Sequence, residues 1–116
     1  MKIVFYETKS GRNKVLDFIS KLSNQDQARI FGSLKSVEEQ GLDSNRVQFR
    51  QINGKLWEIK IKTQTSGYRF FYVCLNSFKL VLLHAYKKQS QKAPAKELEL
   101  AERRMKEVFE NESYYR

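Results

Sequence analysis

Cysteine and histidine are almost absent from this 116-residue chain, since each occurs once, as Cys74 and His84. A single cysteine excludes a disulfide within the chain and suits a reducing compartment. Because Cys74 lies in an apolar segment with no cation evident beside it, we expect a buried, unreactive thiol. One cysteine and one histidine cannot build a Cys/His zinc site, and we expect neither a metal nor another cofactor.

Long apolar runs are missing as well. No run approaches the ~18 residues of a membrane span, and the N-terminal segment does not have the architecture of a signal peptide. We therefore expect a cytoplasmic protein with a single domain over residues 1–116. The sequence also has no glycine-rich loop of the P-loop or dinucleotide-binding type and no GxSxG motif, which argues against those enzyme classes.

Acidic residues are scarce relative to basic ones, and the formal net charge is +9. Residues 46–106 hold fourteen Lys and Arg against four Asp and Glu, whereas residues 1–45 hold seven against six and residues 107–116 hold one against three. A basic region of this size predicts a polyanionic partner, most simply nucleic acid, with salt-sensitive affinity. The alternative is a basic protein that has no such partner.

Hydrophobic periodicity predicts an α+β domain with the element order β-α-α-β-β-β-β-α. We expect a helical hairpin over residues 13–41, with Ser23 capping its second helix, on one face of a mainly antiparallel sheet. Pro94 should open a C-terminal helix near the other face, with its cationic side chains Arg103, Arg104 and Lys106 turned outward. The predicted strands cover residues 1–6, 47–52, 56–62, 68–75 and 78–86.

The two strands at 68–75 and 78–86 are apolar almost throughout, and Arg69 and His84 are their polar exceptions. If Asn76 and Ser77 form a two-residue hairpin turn, Arg69 pairs directly with His84. The apolar face would then combine Phe71, Val73, Leu75, Phe78, Leu80 and Leu82. A three-residue turn would instead place Arg69 opposite Ala85 and send His84 to the other face.

The polar residues near this end of the sheet suit metal-free cleavage of RNA. His84 can take or give a proton near neutral pH, and Glu58 can replace it as the base. Arg69 can bind a phosphate with its guanidinium fork, and the lysines can stabilise growing negative charge. The candidate catalytic residues are His84, Arg69, Lys60, Lys87 and Tyr86. The candidate RNA- or phosphate-binding residues are Lys62, Lys88, Lys92, Glu58 and Arg50.

Each of these residues also has a structural interpretation. His84 can be a hydrogen-bonding residue of the sheet, and Arg69 can simply pair with Glu58. Lys60 and Lys62 can form a solvated strand face. Residue spacing alone does not choose between these interpretations and a catalytic site.

Four segments resemble the RelE/ParE superfamily of type II toxins, specifically its HigB-like, phage-derived branch. They are LWEIKI at 56–61, GYRFFY at 67–72, LLHAYKKQSQKAP at 82–94, and the helix around 101–104. The resemblance implies a RelE-like fold and a toxin that enters the ribosomal A site and cuts mRNA. It also implies a cognate HigA-like antitoxin with a helix-turn-helix domain, in a heterotetrameric complex.

The family's functional positions fall on Lys60, Arg69, His84, Tyr86, Lys87 and Lys88 of this chain. Related sequences often have Arg in place of Lys60, which weakens the expectation of bidentate phosphate binding here. They often have Phe in place of Tyr86, which weakens the expectation of a catalytic hydroxyl. We further expect an acidic or amphipathic antitoxin segment to cover the basic sheet edge.

Two other functions remain open at this point. Related ParE proteins bind DNA gyrase on the same fold and are not nucleases, and one histidine disfavours that function only weakly. The chain can also be an inactive nucleic-acid-binding protein.

Overall fold

The computed structural model describes residues 1–115, and its element order is the predicted one. The helices are α1 (Lys14–Ser20), α2 (Asn24–Gln40) and α3 (Ala95–Glu110). Short 3₁₀ turns follow α2 at Gly41–Asp43 and α3 at Glu112–Tyr115. The strands are β1 (Lys2–Phe5), β2 (Gln48–Asn53), β3 (Leu56–Lys62), β4 (Gly67–Asn76) and β5 (Lys79–Lys87).

Local capping explains where the helices begin. The Ser23 side chain accepts a hydrogen bond from the Asp26 backbone N–H, as predicted, and Asn13 does the same for Leu16 at the start of α1. Pro94 stands immediately before α3, where its missing N–H removes no helical hydrogen bond. Gly54, with φ of 56°, makes the tight turn that joins β2 to β3.

The five strands form one sheet in the order β1-β5-β4-β3-β2. Only the pair of β1 with β5 is parallel, so the prediction of a mainly antiparallel α+β fold is confirmed. The two central strands, β4 and β5, carry the most buried side chains, which matches their nearly continuous apolar sequences.

Each face of the sheet has its own apolar core. The hairpin of α1 and α2 packs on one face, which we call the hairpin face, through side chains such as Ile19, Ile30, Val37, Ile59 and Phe70. The helix α3 packs on the other face, which we call the α3 face, through Leu56, Phe71, Leu83, Ala101 and Val108. Within residues 1–115, no helix combines the length and the apolar character needed to cross a membrane.

The register between β4 and β5 differs from both predicted alternatives. Arg69 pairs with Tyr86, and His84 pairs with Phe71. The turn is Ser77–Phe78 instead of Asn76–Ser77, and bulges shift the pairing twice, once beside the turn and once between Phe71 and Tyr72. Arg69 and His84 therefore share a face as predicted, but they lie diagonally and not directly opposite.

The predicted apolar face is also corrected by this register. Phe71 and Val73 lie on the α3 face, whereas Leu80 and Leu82 lie on the hairpin face. The bulge leaves Leu83 without a partner on β4, between the pairs formed by Leu82 and His84. Because of this extra residue, both Leu83 and His84 contact the α3 side of the sheet. The bulge thus directs the histidine toward α3.

Candidate active site

Three polar side chains form a row across the α3 face. Lys60 on β3 pairs with Arg69 on β4, and Arg69 pairs with Tyr86 on β5. The neighbouring row contains Glu58, Phe71 and His84, with Arg50 on β2 opposite Glu58. Most of the polar residues predicted for a site therefore come together on one face of the sheet, close to the end where β5 leaves it.

Arg69 lies beneath the surface, with 0% of its residue area exposed. Its Nη1 donates to the Tyr86 hydroxyl over 3.2 Å, and its Nη2 donates to the backbone carbonyl of Gln91. Its Nε lies 3.7 Å from a Glu58 carboxylate oxygen. Residues 88–94, which join β5 to α3, thus cover the guanidinium on its outer side.

Glu58 is buried together with Arg69, also with 0% exposure. One carboxylate oxygen lies 3.3 Å from Arg50 Nε and the other faces Arg69. Among the described residues, neither oxygen has a hydrogen-bond partner of normal geometry, so the attraction is ionic. The buried Glu58 carboxylate therefore balances the charges of the two guanidinium groups beside it. The structural interpretation of the Arg69–Glu58 pair, considered from the sequence, matches this arrangement.

Lys60 lies among other cations. Burial lowers the pKa of its ammonium group first, and the charges of Arg69, Lys88 and Arg50 lower it further. The carboxylate of Glu58 opposes this shift but does not cancel it. A group of cations with an excess of positive charge is favourable for binding an anion such as phosphate.

Tyr86 is 8% exposed, and its hydroxyl accepts the hydrogen bond from Arg69. Burial raises the pKa of this hydroxyl, while the hydrogen bond from Arg69 acts in the opposite direction. The ring stacks against Phe71 and His84, with centroid distances of 5.8 and 6.2 Å. Tyr86 therefore contacts both Arg69, through its hydroxyl, and His84, through its ring.

Both ring nitrogens of His84 have partners on α3. Nε2 lies 2.7 Å from Glu97 Oε1, and Nδ1 lies 3.4 Å from Arg104 Nη1. Burial lowers the pKa of the imidazole, Glu97 raises it, and the cationic Arg104 lowers it again. The net direction is downward, so the ring is mainly neutral at pH 7.

The prediction that Arg104 points outward is wrong. It is 9% exposed, donates to the Leu83 carbonyl over 2.9 Å, and lies over the Tyr6 ring at 5.0 Å. Glu97 was not predicted at all. Helical spacing could have found both, because Glu97, Ala101, Arg104 and Val108 follow one another at intervals of four, three and four residues. They form the stripe of α3 that faces the sheet.

The remaining predicted cations are distributed around the site. Lys87 pairs with Tyr68 and its charge acts on Asp26, which places it on the hairpin face, away from the row of Lys60 and Arg69. Lys62, Lys92 and Arg50 are exposed. Lys88 is half-buried, with Nζ 3.4 Å from the Gln91 side chain.

Two cavities extend the basic surface from the site toward α2. A cavity of about 350 Å³ at the β3–β4 turn is lined by Lys60, Lys62 and Lys88, among others. A second cavity, of about 230 Å³, is lined by Lys60, Lys62, Arg29 and Arg46. Neither Arg29, in the nearly neutral residues 1–45, nor Arg46, at the start of the basic region, was predicted. Within residues 1–115, no group of three or more His, Cys, Asp or Glu side chains could hold a metal ion.

The sheet order, the helical hairpin and the packing of α3 are consistent with a RelE-like fold. Residues 17–106 match the family described as phage-derived protein Gp49-like (DUF891), and the chain belongs to this family. It is a family of RelE/HigB-like toxins, which are commonly the toxins of toxin-antitoxin systems. A search of curated protein sequences finds no significant match to the chain.

Proposed function

We propose that this protein is the toxin of a type II toxin-antitoxin system and acts as a ribosome-dependent endonuclease on mRNA. The observation that carries the proposal is the row of Lys60, Arg69 and Tyr86 across three strands, with His84 in the adjacent row. This arrangement combines an excess of positive charge with groups that can transfer protons or orient a group that does, and metal-free RNA cleavage requires both charge stabilisation and proton transfer.

In the proposed reaction, the ribose 2′-oxygen attacks the adjacent phosphorus and the bond from phosphorus to the 5′-oxygen breaks. The products are a 2′,3′-cyclic phosphate and a 5′-hydroxyl. One group must accept the 2′-hydroxyl proton, another must supply a proton to the departing 5′-oxygen, and cations must stabilise the charge on the phosphate.

Lys60 is the member of the row best placed to meet the phosphate, because it is half-buried whereas Arg69 is fully covered. Arg69 contributes its charge from the neighbouring strand and orients the Tyr86 hydroxyl with a hydrogen bond. Direct contact between Arg69 and a phosphate requires residues 88–94 to move, since the Gln91 carbonyl occupies its outer nitrogen.

The exposed cations around the row supply the binding surface for RNA in this proposal. Arg50, Lys62 and Lys92 are exposed, and Arg29 and Arg46 continue the surface toward α2. Contacts of this type with phosphates carry affinity without sequence information. Codon selectivity would therefore come from the ribosome and from contacts with the bases.

The partners in this proposal are a bacterial ribosome carrying mRNA and a HigA-like helix-turn-helix antitoxin in a heterotetrameric complex, all in the cytoplasm. An acidic or amphipathic segment of the antitoxin would cover the basic end of the α3 face. The charge of the site supports this expectation, because complementary charge accelerates association and excludes RNA at the same time.

The test is to add the protein to a reporter mRNA in a bacterial translation extract and to the same mRNA without ribosomes. We expect cuts in phase with codons in the extract and intact RNA without ribosomes, both read by primer extension. Equal cutting in both samples would contradict ribosome dependence. Intact mRNA together with growth arrest and induction of the DNA-damage response would contradict the nuclease and support a gyrase-binding toxin.

A further inference from the structure

His84 is poorly placed to exchange a proton directly with RNA. Its side chain is 14% exposed, and both ring nitrogens are engaged by side chains of α3. Arg104 can only donate hydrogen bonds, so the Nδ1 atom that faces it must be the acceptor. The ring proton is then on Nε2, and it is donated to Glu97.

Glu97 lies closer to solvent than His84. Its side chain is 23% exposed, more than that of His84. Among the described residues, hydrogen bonds engage only Oε1 of its carboxylate, which leaves Oε2 able to accept another proton. The Glu97 charge also contributes to raising the pKa of Tyr86, so the carboxylate lies within electrostatic reach of the cationic row.

We propose that Glu97 is the group that accepts the 2′-hydroxyl proton, and that His84 and Arg104 are positioning residues which hold its carboxylate through the Arg104–His84–Glu97 chain of contacts. This inference rests on the proposed function, whose base it identifies. The 2′-hydroxyl proton moves to Glu97 Oε2 as the 2′-oxygen attacks phosphorus. The departing 5′-oxygen takes its proton from the ammonium group of Lys60.

The surroundings of His84 support its assignment as a positioning residue for Glu97. The titratable or charged groups that face it are Glu97 and Arg104 from α3 and Tyr86 from its own strand, while β4 presents the non-titratable ring of Phe71. A neutral imidazole that donates from Nε2 orients a carboxylate without taking its proton. This reverses the usual order, in which a carboxylate orients a histidine that meets the substrate.

The first experiment tests the contacts without using nuclease activity. The chain contains one histidine, so selective ¹⁵N labelling of the ring in a protein without a histidine tag gives unambiguous NMR signals. We expect the Nε2–H tautomer from pH 7 to 8 in the parent protein, and a changed tautomer balance in Glu97→Gln. A ring that is protonated at pH 7, or a Nδ1–H tautomer in the parent protein, would overturn the inference.

The second experiment separates the roles of the two residues in cleavage of translated mRNA. Glu97→Gln should lower the cleavage rate by about 10²-fold or more, the usual effect of losing a general base. His84→Gln keeps a donor near the Nε2 position and should lower the rate by less than about tenfold. Glu99→Gln, which changes an exposed carboxylate of the same helix, is the control and should cleave as the parent does.

The two variants also separate this inference from the proposed function. If the parent protein leaves translated mRNA intact, the nuclease proposal fails, whatever the NMR spectra show. If the parent cleaves and folded Glu97→Gln cleaves equally well, the nuclease stands and the role of Glu97 is refuted. Loss of activity in His84→Gln with retention in Glu97→Gln would make His84 the proton acceptor.

Discussion

Lys60 and Arg69 lie directly opposite each other on β3 and β4, so two cations occupy one cross-strand pair. Like charges in such a pair destabilise a sheet. Burial lowers the pKa of Lys60 most, and the charge of Arg69 lowers it further, so both disfavour the charged form of its side chain. A phosphate bound by Lys60 would offset this repulsion, which is why the pair is central to the proposed function.

Replacing Lys60 by Met should therefore stabilise the fold while it removes activity. We expect the free energy of unfolding to rise by up to about 1 kcal/mol, because the repulsion with Arg69 is lost and an aliphatic chain of similar length remains. Chemical denaturation at pH 7 measures this. Lys35→Met, at an exposed position of α2, is the control and should change stability by no more than about 0.5 kcal/mol. A less stable Lys60→Met variant would contradict the proposed repulsion.

Arg69→Met should destabilise the protein severely, since it leaves the buried carboxylate of Glu58 with only Arg50 as a partner. Breaking a buried ion pair on one side costs about 3–5 kcal/mol, and the remaining contact with Arg50 should reduce this loss. The double variant Glu58→Gln with Arg69→Met should recover most of the stability, because no buried charge remains and Arg50 is exposed. Urea denaturation of the two single variants and the double variant gives the coupling energy. Additive losses would show that the two charges do not stabilise each other.

Asp26 should make the fold sensitive to acid. The Tyr68 hydroxyl donates to its carboxylate over 2.5 Å, and this hydrogen bond is the main cause that lowers the pKa of Asp26 below 3.8. A lowered carboxyl pKa stabilises the fold at pH values above the unfolded pKa, and the stabilisation disappears as the pH falls through the folded pKa. Asp26→Asn should thus be less stable than the parent from pH 8 to 5, and the difference should shrink below pH 3.8. A difference that is constant over the whole range would contradict the pKa assignment.

The exposed lysines beside the site should contribute to binding of the ribosome. Reversing the charge of Lys62 and Lys92 should weaken co-sedimentation with ribosomes and reduce its dependence on salt, because fewer counterions are released. The control reverses two exposed lysines elsewhere, Lys2 on β1 and Lys35 on α2, and changes the net charge equally. Equal weakening by both double variants would indicate attraction by net charge alone and not by a defined surface.

The fold was largely predictable because its signals are local. The alternation in β3, the cap at Ser23 and the proline before α3 each act within a few residues, and all three lie where the sequence placed them. The register of β4 and β5 was not predictable in this way. It depends on two bulges, and a sequence of nearly continuous apolar residues gives no signal for which residue is left unpaired.

The candidate site was predictable only in part, for a related reason. Arg69 and His84 stand out as polar residues in apolar strands, and the structure places them on one face with Lys60 and Tyr86. The sequence did not show that residues 88–94 cover Arg69 and that α3 covers His84, so the burial of Arg69 and its partner Glu58 was missed. Arg104 is buried although it is charged, because it lies on the stripe of α3 that faces the sheet, where its guanidinium finds hydrogen-bond partners.

The most direct test of the proposed function compares the parent protein with Lys60→Met and Lys60→Arg by primer extension on translated reporter mRNA. Lys60→Met is expected to be at least as stable as the parent, so a loss of cleavage cannot be attributed to unfolding. We expect codon-phased cuts from the parent, weaker cuts from Lys60→Arg, which retains the cation but cannot readily donate a proton, and none from Lys60→Met. Cuts of equal strength from all three would refute the Lys60–Arg69 site, and intact mRNA with all three would refute the nuclease.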